Sequence, residues 1–338
     1  MITAKIQKTT GETVEIAIPE HGSEIKLSQA LDFNVGCLKL FEFIRDNAEQ
    51  FETKKAQYLI EVIKCLNNYF EGIIDIFECD GSLVNISPED FDQHIALLAD
   101  KIDIDSATNT ALGIFNLLLK AVREVRPQIE DQWPNKFEYK DSTFIFPEIW
   151  KDKIYNTLNF KSISVKQAVE VLQIHNNYVN NVSGLKETDE AHVNSTFSKY
   201  LSELAILLVK EGEKIPTDET EFRQFMAERM EFWQDIDLQT AVNIEAWFES
   251  YYEWLKSDPE NFYYFNGKDP QTKEEADALT KARAYNKEIY QKIGAKSIIS
   301  RLVEIGTFNG LERTNLESAN VAPFTDAVKA ISIENSKQ

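Results

Sequence analysis

The sequence predicts an α+β protein dominated by helices, and three observations carry that reading. Short stretches alternate apolar and polar residues and end at proline. Longer stretches place apolar residues at three- and four-residue steps. The two kinds of stretch then occur twice in the same order. Residues 13–20, TVEIAIPE, reappear as 141–148, DSTFIFPE, and Leu27-Ser28-Gln29-Ala30 reappears as Val165-Lys166-Gln167-Ala168. Phe91-x-Gln93-x-x-Ala96 is followed in kind by Phe222-x-Gln224-x-x-Ala227, and Ile104 to Asn109 by Leu238 to Asn243. Pairs kept in order at drifting offsets of about 130 residues are what a duplicated, domain-sized module with loop insertions leaves behind. The expected organisation is therefore two related modules, each a short β-hairpin followed by helices, at residues 1–130 and 135–257. A basic helical extension over 258–305 and a C-terminal arm over 306–338 complete it.

Each element has a local reason. Lys5-Ile6-Gln7-Lys8, the Gly11 turn and Val14 to Ile18 read as a hairpin, closed at Pro19 because proline has no N–H to donate. Phe137 to Phe146, ending at Pro147, reads as its second copy. Leu38, Phe41 and Ile44, then Tyr58, Val62, Cys65, Leu66 and Tyr69, carry helical spacing. Ser87-Pro88-Glu89-Asp90 has the cap, proline and acidic first turn of a helix start. Ala111, Ile114, Phe115, Leu118 and Val122 form another stripe, after which Arg126-Pro127 and Trp133-Pro134 break the chain. In the second module Ser164 caps a helix through Val165, Ala168, Val169 and Leu172. Helices through Phe197 to Leu208, Phe222 to Trp233 and Leu238 to Leu255 follow it. Thr272-Lys273-Glu274-Glu275 has the form of a capping box opening the basic helix, and the tail beyond Gly306 reads as a docking arm.

Composition narrows the function. Apolar residues make up 43% of the 338, enough for packed cores. The longest apolar run, Leu204 to Val209, is far short of the roughly 20 residues a membrane span needs, and the N-terminal residues lack a signal-peptide core. No membrane partner is expected. A net charge of −20 opposes nonspecific nucleic-acid binding by the whole surface, and no specific nucleic-acid binding is expected either. Cys37, Cys65 and Cys79 form no C-x-x-C pattern and read as buried thiols.

The candidate chemical motifs are weak. Asp189-x-x-His192 is one acid–histidine pair where a diiron carrier needs two, and Asp103 and Asp105 lack the glycine and glutamate of a calcium loop. No metal and no cofactor is expected. Glu245, Glu249 and Glu253 share one helix face among Trp247, Phe248, Tyr251, Tyr252 and Trp254. A hydrolase could use such an acidic-aromatic helix. Catalytic carboxylates, however, flank a bond from opposite sides, so the favoured reading is aromatics packed inward and glutamates in water. The aromatic cluster from Asn261 to Phe265 reads likewise as a packing corner or an interface rather than a ligand site. No P-loop, G-x-G-x-x-G, G-x-S-x-G or H-E-x-x-H is present, and a non-enzymatic protein is expected, with no catalytic residue assigned.

The hairpin ending in Ile18-Pro19 or Phe146-Pro147, followed by Ile25-Lys26-Leu27-Ser28-Gln29 or Ile163-Ser164-Val165-Lys166-Gln167, resembles structural proteins of tailed phages of Bacteroidota, notably crAss-like phages. Phe197-x-x-Tyr200-Leu201, Lys210-Glu211-Gly212-Glu213 and Arg229-Met230-x-Phe232 are similar to the helical part of such proteins. The resemblance implies a virion structural protein made in the bacterial host cytoplasm, an oligomeric ring or neck/tail component near the portal. Its implied partners are other copies of itself and portal, neck or tail subunits, with DNA passing nearby. The alternatives are a phage assembly chaperone or scaffold absent from the mature particle, and the hydrolase built on Glu245 to Glu253.

Overall fold

A computed structural model describes residues 1–8, 10–50, 54–77, 103–127, 163–186, 189–209, 213–261, 264–265, 301–305 and 315–337. These residues are mostly helical with one N-terminal hairpin. The second hairpin expected over Phe137–Phe146 and the helix start at Ser87-Pro88 lie outside them, as does Cys79. Of the basic residues in the expected extension, Arg301 alone is among the described residues. The chain forms two units. The first holds Met1–Arg126, Gly184–Phe197 and Gln234–Ala241; the second holds Pro127–Ser183, Ser198–Trp233 and Val242–Gln338.

In the first unit β1 (Ile2–Gln7) and β2 (Thr13–Ile18) pair antiparallel, Ile6 opposite Val14 and Lys5 opposite Glu15. The alternation has the expected effect. Ile6, Ile16 and Ile18 are buried on one face, while Lys5 and Glu15 form an exposed ion pair of 2.8 Å on the other. Gly11 takes φ +84° in the turn, a left-handed conformation that costs glycine little. β2 packs on α4 (Ile104–Arg123), and α4 on α2 (Lys55–Asn67), which in turn packs on α1 (Leu27–Asn47). The short α3 (Ile73–Ile76) follows α2. The α4 stripe from Ala111 to Val122 is buried as its spacing predicts. In α1 Leu27, Ala30, Phe33, Cys37, Leu38 and Leu40 are buried; of the expected line Leu38 is buried, while Phe41 and Ile44 are half-buried. Phe33 and Phe41 both meet the Phe115 ring, at 5.7 and 6.2 Å between centroids. At Gly36 a Cβ would stand 3.1 Å from the Cys65 Sγ and 3.2 Å from its Cα, so glycine lets α1 and α2 approach closely where a larger residue would push them apart by a few tenths of an ångström.

The second unit is built from α5 (Val165–Val182), most of α6 (Glu190–Leu207), α7 (Glu219–Trp233), most of α8 (Leu238–Ser257), α9 (Leu316–Val321) and α10 (Phe324–Lys337). Residues 315–337, within the stretch expected as an arm, thus belong to this unit. Phe324, Ala327, Val328 and Ile331 of α10 are fully buried. Glu213 and Arg229, both from the stretches that carry the resemblance, form an ion pair.

One arrangement occurs twice. In the first unit the Leu27 N–H donates to the Ile236 carbonyl at 2.8 Å, and the Leu238 N–H donates to the Ile25 carbonyl at 2.8 Å. In the second, Val165 N–H donates to Ala322 at 2.8 Å and Phe324 N–H to Ile163 at 2.9 Å. Each is a reciprocal bridge between the first residues of two helices, centred on Lys26 with Asp237 or on Ser164 with Pro323. It gives acceptors to N–H groups that a helix start leaves without partners. The glutamine shared by the two copies has one role in both. The Gln29 side-chain oxygen accepts from the Lys26 N–H at 3.2 Å, and that of Gln167 from the Ser164 N–H at 3.0 Å.

Phe324 closes the second bridge and is fully buried. Phe324→Ala is expected to lower the unfolding free energy by about 3–5 kcal/mol in denaturant titration. Val321→Ala, at a site 54% exposed three residues earlier, is expected to leave it unchanged within about 0.5 kcal/mol.

Candidate functional site

The most concentrated chemistry among the described residues lies in the second unit, where α5, α6 and α8 each contribute polar side chains. Its origin is the position of α6. The end of that helix is apolar all round, with Leu204 to Val209 all buried, so Lys199 and Glu203 one turn earlier have little access to water. Their side chains are only 7% and 6% exposed. The Lys199 ammonium is paired with Glu245 of α8, stands 3.8 Å from Glu203, and lies 5.2 Å from the centre of the Tyr178 ring on α5. Tyr200 also hydrogen-bonds Glu245. His175 of α5 and Glu249 of α8 complete the set of interacting groups.

The electrostatics follow from one cation shared among several acids in poor contact with water. Burial would lower the Lys199 pKa, but Glu203 and Glu245 outweigh it and hold the ammonium charged. Burial pushes the Glu203 carboxyl up to about 8, since one lysine cannot offset desolvation together with the Glu245 and Glu249 charges. Glu203 is therefore the acid of the group that takes up a proton near neutral pH, and when it does Glu245 remains as the charged partner of Lys199. Burial and then Glu245 raise the Tyr200 phenol, while burial and then Lys199 lower the His175 imidazole. Glu249 is exposed by area, yet partial desolvation and the Glu245 charge raise its carboxyl too. The cluster can hold three helices together and can exchange a proton at Glu203 in mildly alkaline solution.

The residues singled out in the sequence are placed as follows. Trp247, Phe248 and Tyr251 pack inward, Tyr251 meeting Phe324 at 6.4 Å, as the favoured reading expects. Glu249 and Glu253 are exposed, and Glu253 pairs with Lys256. Glu245 departs from the expectation, being half-buried and engaged with Lys199 and Tyr200. Asp103 caps α4 by accepting from the Asp105 and Ser106 N–H groups, and Asp105 pairs with Lys55 at 2.9 Å. Asp189 accepts from the Lys186 N–H at 2.8 Å, a local turn ahead of α6. Among the described residues no three His, Cys, Asp or Glu side chains gather as metal ligands. Tyr264 and Phe265 meet edge to face at 4.7 Å, and Phe265 meets Tyr252 at 5.7 Å, a packing corner.

Sequence reasoning missed Lys199, Glu203, Tyr178 and His175. The available signal was the i, i+4 pair Lys199–Glu203 running directly into the apolar run from Leu204. No protein-family model matches the chain, and comparison with curated proteins and with solved structures yields no match.

The Glu203 shift has a definite sign. A carboxyl raised from 4.5 to about 8 contributes stability that is complete below the ordinary value and lost as pH rises through about 8. The melting temperature is expected to fall as pH rises from about 5 to about 8 and to level off above, and Glu203→Gln to remove most of that fall. Lys199→Met is expected to destabilise near neutral pH, by about 3–5 kcal/mol, because the Glu245 carboxylate then stands partly buried without its cation.

Proposed function

We propose that this chain is a non-enzymatic architectural protein, an oligomeric ring or neck/tail component of a tailed-phage virion near the portal. Its proposed neighbours are further copies of itself and portal, neck or tail subunits. The observation that carries the reading is the fate of the acidic-aromatic helix α8, the feature of the sequence closest to an active site. Trp247 and Tyr251 are buried in packing, and Glu245 is held by Lys199 and Tyr200. These groups are committed to joining helices rather than facing each other across a bond to be cleaved. The two reciprocal bridges at Leu27–Ile236 and Val165–Ala322 support a duplicated helix-start design, although each joins segments from different parts of the expected organisation, 1–130 with 135–257 and 135–257 with 306–338. Among the described residues the outer edges of β1 and β2 carry no further strand, which suits strand addition by a neighbour. The phage assignment itself rests on the sequence resemblance, and the net charge of −20 suits a component that DNA passes without sticking.

A hydrolase centred on α8 has one observation in its favour, the raised carboxyls of Glu203 and Glu249 around Glu245. Light scattering after size exclusion, with negative-stain imaging, is expected to show closed rings of the full chain alone or with portal and neck subunits. Peptide mass analysis of purified phage particles is expected to find the chain in them. Its absence from particles would overturn the virion role in favour of an assembly chaperone or scaffold.

A further inference from the structure

In the first unit α1 and α2 bring two cysteines together. The Cys65 Sγ lies 3.7 Å from the Cys37 Sγ, and its other near polar neighbour is the Phe33 carbonyl at 3.8 Å. Both thiols are buried, at 0% and 2% exposure, and both are reduced. The two helices cross closely here because Gly36 adds no side chain between them. A disulfide needs about 2.05 Å between sulfurs and Cβ atoms about 4 Å apart. From 3.7 Å, rotation of the two thiols with a small helix adjustment supplies the rest.

We propose that Cys37 and Cys65 are a redox-controlled pair that forms a disulfide stapling α1 to α2 when the chain meets oxidising surroundings. The oxidant is a small-molecule disulfide such as oxidised glutathione. One cysteine thiolate attacks it, releasing one thiol and forming a mixed disulfide; the second cysteine thiolate then displaces the other thiol. Two protons leave the protein sulfurs and two electrons reduce the glutathione disulfide to two thiols. The hydrogen bond with Cys37, followed by burial, pushes the Cys65 thiol far above its ordinary range. The native pair therefore resists attack, and closure occurs as the unit folds or opens transiently. In a virion this would place the staple after release from a reducing cytoplasm. That timing rests on the proposed function; the chemistry of the pair does not.

The test uses the isolated full-length chain with Cys79→Ser, so that two thiols remain. It is refolded from denaturant in oxidised glutathione and mapped by non-reducing peptide mass analysis. The expected result is a Cys37–Cys65 cross-link within one chain. The melting temperature should rise by several degrees and return to its starting value with dithiothreitol. Cys37→Ala and Cys65→Ala should each remove both effects. Two thiols still unmodified after refolding, or cross-links formed only between chains, would overturn the proposal. A cross-link that lowers the melting temperature would overturn the stapling role. None of these outcomes depends on whether the chain is found in phage particles.

Discussion

The reciprocal pairing of helix starts is the constraint on which both units depend. A helix begins with N–H groups that have no partner within the helix, and one buried without an acceptor costs about 1–3 kcal/mol. Here the first N–H of each of two helices donates to a carbonyl just ahead of the other, as at Leu27 with Ile236 and Leu238 with Ile25. The residues around this exchange must then be apolar and closely packed. Ile25, Leu27 and Ile236 are at most 1% exposed in one copy, and Ile163, Val165 and Phe324 are fully buried in the other. The partners are far apart in sequence. α1 starts against a segment beyond residue 233, and α5 against one beyond residue 321. Each bridge therefore forms only once the chain has returned, so its loop-closure entropy is part of the cost of folding.

The buried charges of the second unit follow a different logic. Removing water from Lys199 and Glu203 is unfavourable, and replacement by apolar groups of the same shape would often be neutral or stabilising. What the cluster supplies is a restriction on alternatives. The Lys199 ammonium has to find Glu245 on α8 and the Tyr178 face on α5 together, so a helix rotated by one residue would strand a charge. Gln167 acts in the same direction. Its oxygen caps α5 while its nitrogen donates to the Ile206 and Leu207 carbonyls at 3.0 and 3.4 Å, fixing α5 against the end of α6.

What could be read in the sequence was local. The hairpin alternation, the α4 stripe, the Ser164 cap and the inward aromatics of α8 depend on neighbours within a few residues, and each is found where its spacing put it. The repeated glutamines at 29 and 167 were legible as a repeat, though their shared capping role needed coordinates. Distant partners were not legible. Nothing near Phe324 says that it does for Val165 what Leu238 does for Leu27, although Phe324-Thr-Asp-Ala-Val and Leu238-Gln-Thr-Ala-Val are alike once aligned by the bridges. Lys199 and Glu203 were missed for a related reason. An i, i+4 ion pair has the same sequence in water as in a core, and only the helices around it decide which.

α1 is constrained at three places in the first unit. Its start is fixed by the bridge to Ile236, its middle by the glycine crossing with α2, and its Phe33 face by Phe115 of α4. A disulfide at Cys37 would therefore join two helices already held in register, adding little strain to the native form and restricting the unfolded one. The proton-sensitive group Glu203 belongs to the other unit and acts on α5, α6 and α8. The proposed staple and the Glu203 carboxyl thus share no side chain, though α8, which carries Glu245, begins at Leu238, whose N–H is held by the carbonyl of Ile25 just ahead of α1.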